Sequence, residues 1–141
     1  PITGFSCERS EVSGRRLWGL FAERFPDPDK FFETHFVANY CPLVWMKETG
    51  ANLTPDKIPV EAMKPVDKAC LEHLETVIDL LKPEYLVGVG AYAQKQLAGI
   101  AERIDPVPTV GRILHPSPAS PAANRDWAGT AKSQLQELGI W

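Results

Sequence analysis

Residues 111–127 read GRILHPSPASPAANRDW. Ile113 and Leu114 lead straight into His115, and Pro116, Pro118 and Pro121 follow with only Ser and Ala between them. An imidazole can donate, accept or carry a proton near neutral pH. Proline fixes φ, so the loop behind this histidine is stiff. A second candidate is Asn39, which closes the apolar run Phe36-Val37-Ala38 just before Tyr40-Cys41-Pro42. A third is Gly88-Val89-Gly90, a partial GxG behind Tyr85-Leu86-Val87. Without a third glycine or a following acid it is weak as a dinucleotide fingerprint, and a tight strand-to-helix turn accounts for it equally well. The helix after it can still offer backbone N–H groups to a phosphate.

These residues need elements to hold them. Leu17, Trp18, Leu20, Phe21 and Phe25 recur at helical spacing, which predicts a helix ending before Pro26. Phe31 and Phe32 read as buried, and residues 35–40 read as a short buried strand. Residues 47–64 are polar and rich in turn formers, an excursion in which Thr54-Pro55 opens one short helical turn. Val66, Ala69, Cys70, Leu74, Val77, Ile78 and Leu81 fit one face of a helix over 65–82. A strand over 85–90, a helix over 91–104 and a strand over 108–114 follow. Trp127, Ala131, Leu135 and Leu138 mark a last helix. Strands separated by helices of this length predict βαβ crossovers and a mainly parallel sheet covered on both faces. No repeat and no linker interrupts the pattern, so residues 1–141 read as a single α/β domain.

In such sheets ligands sit outside the carboxyl ends of the strands. That rule selects Asn39, residues 88–91 and His115 onward, all on one rim. Asn at a strand end commonly satisfies local backbone groups. Its amide also presents an acceptor beside a donor, a match for the N3–H and O4 edge of uracil and a mismatch for cytosine.

Composition excludes several classes. The net charge of −3 gives no bulk electrostatic case for a polyanion, so any nucleic-acid binding must rest on local geometry. Cys7, Cys41 and Cys70 form no CxxC pair, which argues against a zinc or iron–sulfur site and for reduced thiols in an intracellular protein. There is no signal peptide and no apolar run near the roughly 20 residues a membrane span needs. His73 reads as a packing residue beside the apolar seam of its helix, and His35 as structural. Arg15 and Arg16 read as a solvated helix face with a phosphate contact as the alternative. Trp18 and Trp127 fall at core spacing. No Ser–His–Asp order, GxSxG elbow or P-loop occurs, so nucleophilic hydrolysis and nucleotide triphosphate chemistry have no foothold.

Phe36-Val37-Ala38-Asn39-Tyr40-Cys41-Pro42, Leu86-Val87-Gly88-Val89-Gly90 and His115-Pro116-Ser117-Pro118 together resemble the uracil-DNA glycosylase superfamily, in particular its single-strand-selective monofunctional branch. Ser10-Glu11-Val12-Ser13-Gly14 before Trp18, Asn52-Leu53-Thr54-Pro55, and Ala123-Asn124 before Trp127 extend the likeness along nearly the whole chain, in order. The pairing of HPSP with the upstream Asn-x-Cys-Pro is its specific part.

The resemblance implies a three-layer sandwich around a central, mainly parallel sheet. It implies that Asn39 reads the edge of a flipped uracil and that His115 hydrogen-bonds uracil O2 as negative charge builds there. Gly88 and Gly90 would lie against DNA. The loop over residues 116–125 would be a wedge that enters the duplex, with Pro116, Ser117, Pro118, Ala119, Ser120, Pro121, Asn124 and Arg125 at the DNA. Prolines pre-organise such a wedge, and small residues allow close backbone approach. Ala119 stands at the tip, where relatives can carry a basic residue.

The implied activity is base-excision repair: hydrolysis of the N-glycosidic bond of uracil and oxidised uracils in single- or double-stranded DNA, leaving an abasic site. No metal or cofactor and no Schiff-base lysine is implied. The family's first motif, a Gly-Met-Asn-Pro-Gly-Pro-like stretch whose asparagine positions the attacking water, is absent, as is the phenylalanine that stacks on the base. With the chain opening on Pro1, these residues are expected to be the later part of such a domain, lacking its opening βα segment. Its partners would be DNA and the N-terminal remainder of the same protein, with no membrane, as a monomer when complete. Localisation would be cytoplasmic in a bacterium or nuclear in a eukaryote. The alternatives are a catalytically inactive DNA- or nucleotide-binding module that keeps only the recognition half, and an unrelated α/β small-molecule binder.

Overall fold

The computed structural model describes residues 6–8, 10–53 and 57–141. The turn expected at Thr54-Pro55, and with it half of the Asn52-Leu53-Thr54-Pro55 match, lies outside the described residues. In chain order the elements are α1 (Val12–Arg24), α2 (Pro28–Phe32), β1 (Trp45–Met46), β2 (Asn52–Leu53), α3 (Val60–Leu81), β3 (Tyr85–Val89), α4 (Ala91–Ala101), β4 (Thr109–Ile113) and α5 (Pro121–Glu137).

β3 and β4 pair in parallel, with Leu86 opposite Val110 and Val89 opposite Ile113, and α4 makes the crossover between them. This is the expected βαβ unit. Successive strand residues point to opposite faces, and the packing follows that alternation. Ile113, Val87 and Val89 meet Leu20 of α1 and Ala123, Trp127, Ala131 and Leu135 of α5. Leu86 and Val110 meet Ile78 of α3 and Ile100 and Ala101 of α4. Helices therefore cover both faces of the strand pair.

Local chemistry sets the helix ends. The Glu11 carboxylate accepts from the N–H groups of Ser13 and Gly14 and so starts α1. Ser120 caps α5 through Ala123 N, with Pro121 at the first helical position. Asp126, at φ −161° and ψ 83°, breaks α5 after its opening turn, and its Oδ1 accepts from Gly129 N to restart the helix.

Several expectations are corrected. Residues 35–39 form no strand. A strand is stable only against a partner ladder, and among the described residues none runs beside this segment. His35 instead closes the turn after α2: its N–H donates to Phe31 O at 2.9 Å, and its ring stacks on Phe31 at 4.6 Å. Phe36 is consequently 64% exposed, Phe32 and Trp18 are about half exposed, and Phe31 is buried. The polar excursion contains a small antiparallel hairpin, Trp45 opposite Leu53, too short for periodicity to reveal. α3 begins at Val60 rather than Pro65, because buried Met63 extends its apolar face by a turn past the proline. His73 is exposed rather than packed. The loop read as 116–125 ends at Ser120, because Pro121 to Arg125 form the first turn of α5.

Candidate active site

The site is built at the end of β4. Both backbone polar groups of Leu114 are held by side chains of α5: Leu114 N donates to Gln134 Oε1 at 2.7 Å, and Trp127 Nε1 donates to Leu114 O at 2.6 Å. Buried Trp127 thus fixes the chain where it leaves the sheet, and the next side chain, His115, emerges exposed. Gly90 N donates to Ile113 O at 2.9 Å, tying the β3–α4 turn to the same point.

His115 lies over Gly90. A Cβ on Gly90 would come within 3.1 Å of His115 Cβ and 3.2 Å of its Cδ2, and Gly90 has φ 94°. Position 90 therefore needs glycine for both space and backbone angle. Ser117 N donates to His115 Nδ1 at 3.2 Å. With Nδ1 accepting, the neutral ring carries its proton on Nε2, which is then a donor. The start of α4 beside it lacks a side-chain cap, so its first N–H groups have no side-chain partner there.

The loop after His115 is internally bonded. Ser117 Oγ accepts from Ala119 N at 3.1 Å, and Ser120 N donates to Ser117 O at 3.0 Å. Pro118 and Ala119 form its exposed tip, whereas Pro116 is buried and packs inward. Pro121, Asn124 and Arg125 belong to the helix behind the loop. Gly88 is buried against α4, where any Cβ would collide with the backbone of Gln94.

Asn39 is exposed and its link to His115 is indirect. Tyr40 anchors it, donating through its hydroxyl to Asp67 O at 3.3 Å and meeting Tyr92 edge-on at 5.4 Å. Tyr92 stands two residues beyond Gly90. Burial between α3 and α4 pushes the Tyr40 hydroxyl pKa well up, and the Tyr92 hydroxyl adds to this. Tyr92 itself is raised, again chiefly by burial. Neither tyrosine stood out in the sequence, because nothing local announces a contact across 52 residues.

Glu11 also neighbours the site. Hydrogen bonds from Gly14 and then Ser13 N–H hold its carboxyl below the usual range. An apolar cleft of about 400 Å³ lies elsewhere, between Pro42 and Leu43 on one side and Pro65, Cys70 and His73 of α3 on the other. Among the described residues no group of three or more His, Cys, Asp or Glu is placed to hold a metal, and no helix is long and apolar enough to cross a membrane.

No protein-family model matches the chain. Comparison with curated proteins finds single-strand selective monofunctional uracil-DNA glycosylases. The chain is 39% identical to that of Rattus norvegicus over 140 residues, which is 99% of this chain and 50% of the relative. It is 38% identical to those of Bos taurus and Mus musculus over the same length, covering 52% and 50% of them. Over essentially its whole length, then, the chain is a relative of the single-strand selective monofunctional uracil-DNA glycosylases, and it spans about half the length of the curated relatives it matches.

Proposed function

We propose that the whole protein is a monofunctional uracil-DNA glycosylase of base-excision repair, with DNA carrying uracil or oxidised uracils as its substrate. The observation that carries this reading is His115, exposed at the end of β4 with Nδ1 accepting from Ser117 N and Nε2 left free to donate. As the N-glycosidic bond lengthens, its electron pair moves onto the base and the sugar becomes oxocarbenium-like. Nε2–H donates to O2 of the departing uracil anion, and the neighbouring N-terminus of α4 adds favourable potential. Water then captures the sugar carbon and loses a proton, which leaves free uracil and an abasic site. Asn39 supplies the paired acceptor and donor for the O4 and N3–H edge. The exposed tip at Pro118 and Ala119 enters the stack.

Residues 1–141 would form one domain, the later part of a three-layer α/β/α sandwich. The two apolar clusters on opposite faces of β3 and β4 support that architecture. The water-positioning asparagine of the family has no match in this sequence, so we assign it to a segment outside these residues, in the N-terminal remainder. Exposed Phe36, Val37, Leu43 and Val44 offer apolar surface for that segment to cover. The complete protein would act inside the cell as a monomer away from membranes.

The test is an oligonucleotide with one deoxyuridine, incubated with the whole protein and analysed for free uracil, abasic sites and strand breaks. Uracil release with an intact abasic strand is expected. Uracil-dependent binding without release would favour an inactive recognition module instead.

A further inference from the structure

Arg16 does not behave as a solvated face. It is half-buried on α1, next to Leu17, which packs against the cluster shared with α5. Its Nη1 donates to Pro116 O at 3.0 Å and to Ser117 O at 3.4 Å. Its Nη2 donates to Asn124 Oδ1 at 2.9 Å. The other end of the same amide, Asn124 Nδ2, donates to Pro118 O at 2.8 Å. Three consecutive loop carbonyls are thus held by two connected side chains, one from each of two helices packed on a common core.

The chemistry allows one arrangement. A guanidinium has donors and no acceptor, so the amide must turn its oxygen to Arg16 and its NH2 to Pro118. The planar fork of Arg reaches two acceptors at once, which a lysine ammonium on a flexible stem does poorly. Two consequences follow for a loop that enters stacked DNA. Its shape is set before contact, so less freedom is lost on binding. Its carbonyls are also already paired, so driving them into a space that sheds water leaves no acceptor unsatisfied. His115 is fastened mainly outside the clamp, through Leu114 to Gln134 and Trp127 and by its seat on Gly90, and the bond from Ser117 N to its Nδ1 is the one it shares with the loop.

We propose that Arg16 and Asn124 form a clamp that positions the 116–118 loop for entry into duplex DNA, Arg16 being a positioning residue for the reaction proposed above. The inference rests on that reading. It predicts a loss specific to duplex substrates, because a single strand has no stack to invade.

The experiment measures single-turnover uracil release by the whole protein from one oligonucleotide, single-stranded and then annealed to its complement. 2-Aminopurine beside the uracil reports unstacking. Arg16→Ala is expected to lose about 10- to 100-fold on the duplex, the scale of a small misplacement, with a slower unstacking signal and a much smaller loss on the single strand. Arg16→Lys should recover part of the duplex rate. Arg16→Ala combined with Asn124→Ala should be little worse than the poorer single variant, since both break one unit. If Arg16→Ala proves unfolded by circular dichroism, Arg16→Lys and Asn124→Ala carry the same comparison. Equal losses on the two substrates, or additive losses in the double variant, with an active wild type, would overturn the clamp alone. A wild type that releases no uracil from either substrate would overturn the glycosylase reading and the clamp with it.

Discussion

The imidazole of His115 sits over Gly90, so close that a methyl at position 90 would press within 3.1 Å of its Cβ. The two residues come from different strand ends, 25 positions apart, and meet because β3 and β4 are parallel neighbours. Gly90→Ala should therefore do two things. The backbone at φ 94° and ψ 167° is a region that L residues avoid, at a cost of about 1–3 kcal/mol. The displaced imidazole should also lower the rate of uracil release beyond what the lost stability explains. Urea denaturation and release kinetics on the same sample check both, and an alanine variant with wild-type stability would contradict the geometry.

Trp127 gives a second expectation. Its indole is 3% exposed and donates to Leu114 O at 2.6 Å. Trp127→Phe keeps an aromatic ring but removes the donor, leaving a part-buried carbonyl unpaired. A destabilisation of about 1–3 kcal/mol is expected, together with slower catalysis as His115 loses its fixed base. A variant as stable as the wild type would show that water replaces the indole without penalty.

Glu11 predicts a pH dependence. Its pKa is lowered in the folded protein by the Gly14 and Ser13 N–H groups. A depressed folded pKa means the stabilisation is fully present above the unfolded value, about 4.3, and fades as pH falls through the lower folded one. Glu11→Gln should be less stable than the wild type at pH 7, by roughly 0.5–1 kcal/mol for a cap this exposed. The gap should close toward pH 3, and thermal melts that show it constant would remove the charge from the explanation.

Asn39 predicts selectivity. Asn39→Asp retains an acceptor for cytosine N4 but cannot donate to uracil O4, so discrimination should fall by about 1–3 kcal/mol, the worth of a bidentate contact. Competition between uracil- and cytosine-containing strands reads this directly. Unchanged selectivity would take Asn39 out of the base pocket.

Elements whose signal is local were legible in the sequence. The periodic apolar faces of α1, α4 and α5, and the short runs of β3 and β4, carry their own periods. His115 and Gly90 stood at the right strand ends because the βαβ pattern placed those ends on one rim. What failed depended on distant partners. Residues 35–39 have strand-like composition, yet pairing decides a strand, and His35 instead stacks on Phe31. Arg16 looked solvated because its acceptors lie 100 residues away. Gly88 and Gly90 look alike in sequence, but Gly88 lies inside β3 against α4, whereas Gly90 has left the strand at φ 94° and sits under His115. The start of α5 was readable after all: Ser120 before Pro121 is a cap signal that the run of prolines obscured.

The most direct measurement is the single-turnover rate of uracil release by the whole protein and by its His115→Leu variant, with binding to abasic DNA measured alongside. Loss of one donor to a developing anion should slow the chemical step by about 10²- to 10³-fold while abasic-site affinity falls far less. Equal losses in rate and affinity, or an unaltered rate, would contradict the role assigned to His115.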